Sequence, residues 1–475
     1  MKNIVLVITD TYRYDNLGDR SSMPVRTPNL DRFAAEKAIS IEKCHTGSFP
    51  TIPHRTDVAT GTVGWPHYPW QAIDQSGPNH IARILQDCGY ATQLICDTPH
   101  LFNARFQQGF TGAFQHRGQE GDKALLCLNK PIQPAMPMEK TRRRPTFRGH
   151  PLVDTHRWIN RYWENENQTF PYRTAETAVQ WLEENYLAGP FFLWVDFFDP
   201  HEPWDAPEYL VKRYDPDYSG IPMLHPNYGP SAEYTDSELR NLRAHYNAEA
   251  ELIDRWVGRL LGKLDDLQLW DDTIVLLTTD HGMSLGEHGR TGKSNIHEDD
   301  PRFWPLYPEI SHVPLMLAGG GIPGGRSANA IVHPADFLPT LCELAEVEAN
   351  PPKPFDGKSF AAVARGETET HRDFTVAGCF SRGKDGKVPA HCSTPFVVTE
   401  RWGYTPIGAT GKPELFDLEA DPLAADNVIG EDPATARDLH ALLAEHLKTC
   451  QAPGEVVDLW TKSAGSGEGS WSIDY

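Results

Sequence analysis

Ile4-Val5-Leu6-Val7-Ile8-Thr9-Asp10 opens the chain after Met1-Lys2-Asn3, and its reading decides that of the remainder. The apolar residues run without alternation, as in a strand covered on both faces, and the run ends on a carboxylate. Residues 2–8, 91–95, 191–197 and 273–277 repeat the pattern as four expected strands. Helical periodicity fills the intervals over residues 27–38, 79–88, 174–185 and 238–264. Strands and helices alternating in this way predict an α/β fold with a large, mostly parallel sheet flanked by helices. Polar residues follow each strand: Asp10, then Thr98 and His100, then Asp199 and His201, then Asp280 and His281. Sheets of this class bind ligands beyond the carboxyl ends of their strands, so the four ends direct polar groups at one rim.

The 475 residues are enough for one large core or for two to three domains. Lys+Arg number 44 and Asp+Glu 65, a net charge of −21 that repels nucleic acid and anionic membranes. A small anionic ester is not excluded, because the local field of a site can oppose the net charge. Hydrophobic residues at 39% and charged residues at 23% describe a folded chain. The N-terminal apolar run is too short for a signal peptide and lacks a small-residue cleavage site. No run of about 18 apolar residues is present to span a membrane. Eight scattered cysteines without Cys-x-x-Cys spacing suggest reduced thiols, and a cytoplasmic protein is expected.

Residues 1–350 are expected to form the main domain, interrupted at 113–172 by a stretch with the basic patch 140–144, several prolines and little periodicity. That stretch reads equally as a pocket wall at the rim or as a solvated surface excursion. Short strands such as 395–400, turns over 403–412 and a helix over 433–448 mark residues 351–462 as a smaller C-terminal α+β subdomain. The Gly- and Ser-rich residues 463–475 read as a flexible or subunit-contacting tail.

Asp10 ends a buried strand, where an unpaired carboxylate is costly, so it either meets a cation or caps the next turn. Asp280-His281-Gly282 repeats the situation, and two strand-end carboxylates with an imidazole suit a divalent metal. Ser48-Phe49-Pro50-Thr51-Ile52-Pro53-His54-Arg55 reads as a turn entering a helix, with Pro53 at the first helical position. Thr51 is then either a simple N-cap or a hydroxyl beside free N–H groups, where an oxyanion is stabilised. Arg55 lies four residues on, on the same helical face, and its fork suits two anionic oxygens. His201, braced between prolines, reads as an acid, an anion contact or a structural histidine. Lys293 sits on a Gly-rich loop near Asp280, and sequence alone reads it as a surface lysine.

Together these segments resemble the sulfatase branch of the alkaline phosphatase superfamily over nearly the whole chain. The landmarks are residues 4–10, Thr27-Pro28-Asn29-Leu30-Asp31, Pro53-His54-Arg55 with Thr60-Gly61, Gly89-Tyr90-Ala91-Thr92 and Asp199-Pro200-His201. Thr279-Asp280-His281-Gly282, Leu285-Gly286-Glu287-His288-Gly289, Val313-Pro314-Leu315, Asp336-Phe337-Leu338-Pro339-Thr340 and Glu414-Leu415-Phe416-Asp417-Leu418 continue the series. The resemblance implies that Asp10, Asp280 and His281 bind one divalent metal, with Thr51 touching it from the nucleophile position. It implies that Arg55, His201 and Lys293 contact the transferred group or the leaving oxygen. His100, with Thr98, matches the family's Lys-x-His segment, a substrate contact. Mn, Zn and Ca suit such a site, and the imidazole tilts the choice away from Ca. Family habit and the tail suggest a homo-oligomer.

Three departures stand out. Thr51 occupies the position of the Cys or Ser that the family oxidises to formylglycine, so no formylglycine is expected. Thr11 replaces the second Asp of the usual pair, and Thr98 replaces the lysine of Lys-x-His. The last two resemble the phosphonate monoester hydrolases and phosphodiesterases more than typical arylsulfatases. A formylglycine hemiacetal ester expels sulfate by elimination, whereas a threonine ester must be attacked in line by water. That contrast favours phosphate or phosphonate esters over sulfate esters, ahead of a formylglycine-independent sulfatase and an inactive anion-binding relative.

Overall fold

The computed structural model describes residues 1–461 apart from 19, 22–23, 75–78, 121, 123–127, 142–146, 295–301 and 381–393. Residues 142–144 of the basic patch and the tail 463–475 therefore lie outside the described residues. The strands, in chain order, are β1 (Asn3–Thr9), β2 (Ala38–His45), β3 (Ser48–Phe49), β4 (Ala91–Cys96), β5 (Gly112–Gln115), β6 (Phe191–Asp196) and β7 (Thr273–Thr279). They continue with β8 (Ser284–Leu285), β9 (Thr291–Gly292), β10 (His312–Ala318), β11 (Arg326–Val332), β12 (Phe374–Cys379), β13 (Pro395–Thr399), β14 (Trp402–Thr405) and β15 (Glu414–Asp417).

The main sheet has the order β11-β2-β10-β7-β1-β6-β4-β5, and β10 alone runs against the rest. The four expected strands are β1, β4, β6 and β7, side by side at its centre. Both faces are buried. Ile4, Leu6 and Ile8 pack into one core with Trp194 and Leu276, while Val5 and Val7 pack into the other with Leu193 and Val275. This two-sided burial is the reason that the strands read as continuous apolar runs. Truncating one of these side chains to Ala costs roughly 2–5 kcal/mol.

The sequence reading missed β2, β10 and β11. The first expected helix, drawn over 27–38, spans Pro28–Glu36, and Ala38 already belongs to β2. Pro314 obscures β10; it is tolerated inside the sheet because the pairing with β2 shifts register between Val313 and Leu315. The expected helix over 238–264 is the 31-residue Asp236–Asp266, started by a reciprocal capping box between Thr235 and Glu238. It packs on the helices Pro28–Glu36, Phe170–Asn185 and Glu208–Tyr214.

A second sheet has the order β15-β14-β13-β12-β3. It is not made of C-terminal residues alone, because β3 pairs in parallel with β12, Ser48 opposite Gly378 and Phe49 opposite Cys379. The turn that precedes Thr51 is thus the edge of the C-terminal sheet. The stretch 113–172 contributes to both sheet and cavity. Residues 113–115 belong to β5, and Trp158, Trp163, Arg157 and Asp154 line a cavity of about 470 Å³ that none of the expected metal ligands lines.

His288 fastens the loop after Asp280 to the second sheet's side of the molecule. Its Nδ1 lies 2.8 Å from Glu309 Oε1 and its Nε2 2.9 Å from the carbonyl of Ala424. Burial alone would lower this imidazole, but the Glu309 carboxylate outweighs it and lifts the pKa to about 9. A folded-state value raised above the ordinary 6.5 or so gives stability that is complete below pH 6.5 and lost as pH rises through about 9. The expected size is about 3 kcal/mol. Thermal melts at pH 6 and pH 9.5 should therefore show a fall in Tm that is largely absent in His288→Gln.

Candidate active site

Asp10 and Asp280 leave adjacent strands in register, since Thr9 of β1 is paired with Thr279 of β7. One ligand atom each from Asp10, Asp280 and His281 lies within 4.8 Å of the others, and all three residues are fully buried. His281 Nδ1 donates to the carbonyl of Gly282 at 2.9 Å, which leaves the Nε2 lone pair facing the carboxylates. Burial lowers this imidazole to about 3, so it is neutral and able to ligate. Among the described residues His281 Nε2 has no hydrogen-bond partner, and Asp10 Oδ2 has only the ion-pair contact of Arg55 Nη1 at 3.2 Å. Burial, and next the Asp280 charge, raise the Asp10 carboxyl well above the usual carboxylate range. Burial works against the Asp280 charge, yet His281 and Arg55 hold that carboxyl well below the usual range. Two buried carboxylates and an imidazole lone pair converging on one point are what a cation would satisfy, and the oxygen–nitrogen set suits Mn or Zn better than Ca.

Arg55 gathers the strand-end carboxylates. It is fully buried, and its fork lies on Asp196, Nε to Oδ2 at 2.8 Å and Nη2 to Oδ1 at 2.9 Å. Nη1 donates to Asp280 Oδ2 at 2.7 Å and to the carbonyl of Thr51 at 3.2 Å, and lies 3.2 Å from Asp10 Oδ2. The guanidinium therefore clamps the metal-type carboxylates to the Thr51 turn and offers no free fork to a substrate.

Thr51 is the first residue of the helix Thr51–Thr60, so Pro53 sits two residues later than expected. Pro50 occupies the N-cap and no side chain caps the helix, which removes the reading of Thr51 as an N-cap. Gly61 ends the helix in the left-handed region at φ 65°, where a side chain would be strained. The turn is tied down at several points. Thr46 Oγ1 donates to the carbonyl of Asp280, His54 Nδ1 to that of Thr46 at 2.8 Å, and Asp57 accepts from Ser48 N and Gly64 N at 2.9 Å each.

Lys293 is buried, not on the surface, and its Nζ donates to Thr11 Oγ1 at 3.0 Å. Thr11 in turn donates to Asp10 Oδ1 at 2.8 Å, while its backbone N–H reaches Asp280 Oδ1 at 3.0 Å. This arrangement holds Thr11 at φ 65°, a conformation rare for a β-branched residue. His201 is buried with Nδ1 2.7 Å from the carbonyl of Glu202, and burial followed by the Lys293 charge pushes its pKa well down. Thr98 is buried, and its hydroxyl caps the helix Pro99–Asn103 by accepting from His100 N at 3.2 Å. His100 remains partly exposed beside Trp70.

Sequence reasoning missed Asp196, Glu120 and Glu202. Asp196 closes the apolar run of β6 as Asp10 closes β1, and that parallel was readable. Glu120 comes from the stretch without periodicity, and only tertiary structure brings it beside His100 and His201. Glu202 is fully buried, with Oε1 hydrogen-bonded by the hydroxyl of Tyr228.

The sulfatase family model matches residues 2–347 of this arrangement. The chain belongs to the sulfatase family. A model of the N-sulphoglucosamine sulphohydrolase C-terminal region matches residues 298–452. An arylsulfatase from Clostridium perfringens is 26% identical over 462 residues, covering 90% of each chain. The multifunctional alkaline phosphatase superfamily protein PehA of Trinickia caryophylli is 26% identical over 497 residues, covering 92% of each. The phosphonate monoester hydrolase of Agrobacterium radiobacter has the same fold, with a TM-score of 0.71 at 22% identity over 95% of each chain. The protein is thus an ester-bond hydrolase of the alkaline phosphatase superfamily. Among the described residues no helix is long and apolar enough to cross a membrane.

Asp280→Asn should abolish high-affinity binding of Mn or Zn in calorimetric titration of the chelator-treated protein. In the parent protein, metal at 100 times its Kd should stabilise the fold by about 2.7 kcal/mol, read as a rise in Tm that the variant lacks.

Proposed function

We propose that this hydrolase cleaves phosphorus esters — phosphodiesters, phosphomonoesters or phosphonate monoesters — with Thr51 as the nucleophile. The observation that carries the reading is the threonine at the uncapped start of a buried helix whose carbonyl and metal-type carboxylates share one guanidinium. Threonine's hydroxyl sits on a secondary carbon, so it cannot become an aldehyde, and the elimination route that releases sulfate from formylglycine is closed. A covalent ester on Thr51 must be resolved by in-line attack of water, a step that phosphorus supports. The multifunctional relative PehA and the phosphonate monoester hydrolase neighbour are consistent with this class of substrate.

Asp10, Asp280 and His281, with the Thr51 hydroxyl, would hold one divalent ion. Such an ion supplies positive charge to the anionic substrate and makes the coordinated hydroxyl more acidic. Lys293, buried beside Thr11, adds a fixed cation on the same side, where charge on the transferred group is stabilised without reorganisation. Arg55 acts indirectly by keeping Asp10 and Asp280 in place for the nucleophile's turn. In the first half of the reaction Thr51 Oγ1 bonds to phosphorus, the bond to the leaving oxygen breaks, and His201 Nε2 protonates that oxygen. In the second half water attacks, the bond to Thr51 breaks, and His201 takes a proton from the water. Thr51 loses its proton to bulk water in the first half and regains one in the second.

A sulfate ester is the second reading, favoured by the 26% identity to an arylsulfatase. Initial rates on the 4-nitrophenyl esters of sulfate, phosphate, phosphate diester and phenylphosphonate, with Mn, Zn or Ca, separate the two. A phosphorus ester should lead, and Thr51→Ala should lower its kcat by at least about 10³-fold. A leading sulfate ester would overturn the choice of phosphorus, and full activity in Thr51→Ala would overturn the nucleophile.

A further inference from the structure

His100 and His201 meet on one oxygen. Glu120 Oε2 lies 3.7 Å from His201 Nε2 and 4.0 Å from His100 Nε2, and Glu120 itself is buried. Phe198 orders both rings, stacking on His201 with centroids 4.0 Å apart and meeting the edge of His100 at 5.5 Å. The other face of His201 is fixed by Glu202, whose carbonyl accepts from Nδ1 and whose Oε2 lies 3.4 Å from it. With the first proton committed to that carbonyl, a second proton on His201 must sit on Nε2, on the side of Glu120.

This placement meets an energetic difficulty. An imidazole that donates to a leaving oxygen must first be an imidazolium, and burial together with Lys293 opposes that state. The groups facing His201 are the cation Lys293, the partly exposed His100 and the two carboxylates Glu120 and Glu202. Glu202 also accepts from Tyr228, so Glu120 is the carboxylate aimed at the transferable proton.

We propose that Glu120 is a positioning residue for proton transfer, its Oε2 stabilising protonated His201 Nε2 until the leaving oxygen takes the proton. The inference rests on the reading that His201 serves the leaving group, and it holds for a phosphorus or a sulfur ester alike. In the first half of the reaction the Nε2–H bond breaks, an O–H bond forms on the leaving group, and His201 becomes neutral. In the second half the proton from water restores the imidazolium, again opposite Glu120. The separations of 3.7 and 4.0 Å exceed a hydrogen bond and close in the substrate complex, as catalytic contacts in free enzymes commonly do.

The test compares Glu120→Gln with the parent across aryl and alkyl esters of whichever acid is hydrolysed fastest. A poor leaving group needs the proton and a good one does not. The expected loss is therefore about 10- to 100-fold in kcat for phenyl and alkyl esters and several-fold smaller for 4-nitrophenyl esters, with Glu120→Asp restoring part of it. An equal loss on every ester, or none, overturns the proposal. A second readout works without turnover: in protein carrying labelled histidine, the His201 NMR titration midpoint should fall in Glu120→Gln. An unchanged midpoint overturns the role of Glu120. The Thr51→Ala rates report separately on the nucleophile, so failure of one reading is distinguishable from failure of the other.

Discussion

One buried guanidinium organises this active site. Arg55 is surrounded by Asp196 from β6, Asp280 after β7 and Asp10 after β1, with the Thr51 carbonyl closing the ring. Three carboxylates at the ends of neighbouring strands would repel one another in a low-dielectric interior, and a single cation brings all three to the same point. Breaking such a buried network leaves charges with no partner, at about 3–5 kcal/mol for one pair. Because Arg55 lies one turn after Thr51, the same residue that reconciles the carboxylates also sets the helix that begins at Thr51 against them. The positive charge left to meet an anion then falls to Lys293 and to the metal that Asp10, Asp280 and His281 are arranged to bind.

The site is shared by two sheets. The central sheet supplies the carboxylates and imidazoles at its carboxyl rim, whereas the Thr51 turn is the edge strand of the second sheet. Asp336 reinforces the junction: its carboxylate is gripped by Arg372 and His371, just before β12, and held well below the usual range although burial opposes it. The second sheet therefore includes the strand that leads directly into Thr51.

Substitutions within the family framework are mutually consistent. Thr11, where the family resemblance implies a carboxylate, supplies a hydroxyl that links Lys293 to Asp10. Thr98, in place of a lysine, becomes a helix cap and leaves His100 to approach Glu120.

The sequence by itself determined the central strands, the rim and the metal-type cluster, because a strand buried on both faces must be apolar throughout and its first polar residue marks its end. Asp10, Asp280 and His281 were legible for that reason, and so was the oddity of Thr51. Asp196 carried the same signal. The surroundings of Lys293 and Arg55 were not legible for a common reason: whether a long cationic side chain is exposed or buried among carboxylates depends on which distant groups surround it. Glu120 and the pairing of Ser48–Phe49 with β12 were decided by tertiary structure alone. Neither lies in a periodic segment, and a contact between residues far apart in the chain leaves no local pattern for a single sequence to show.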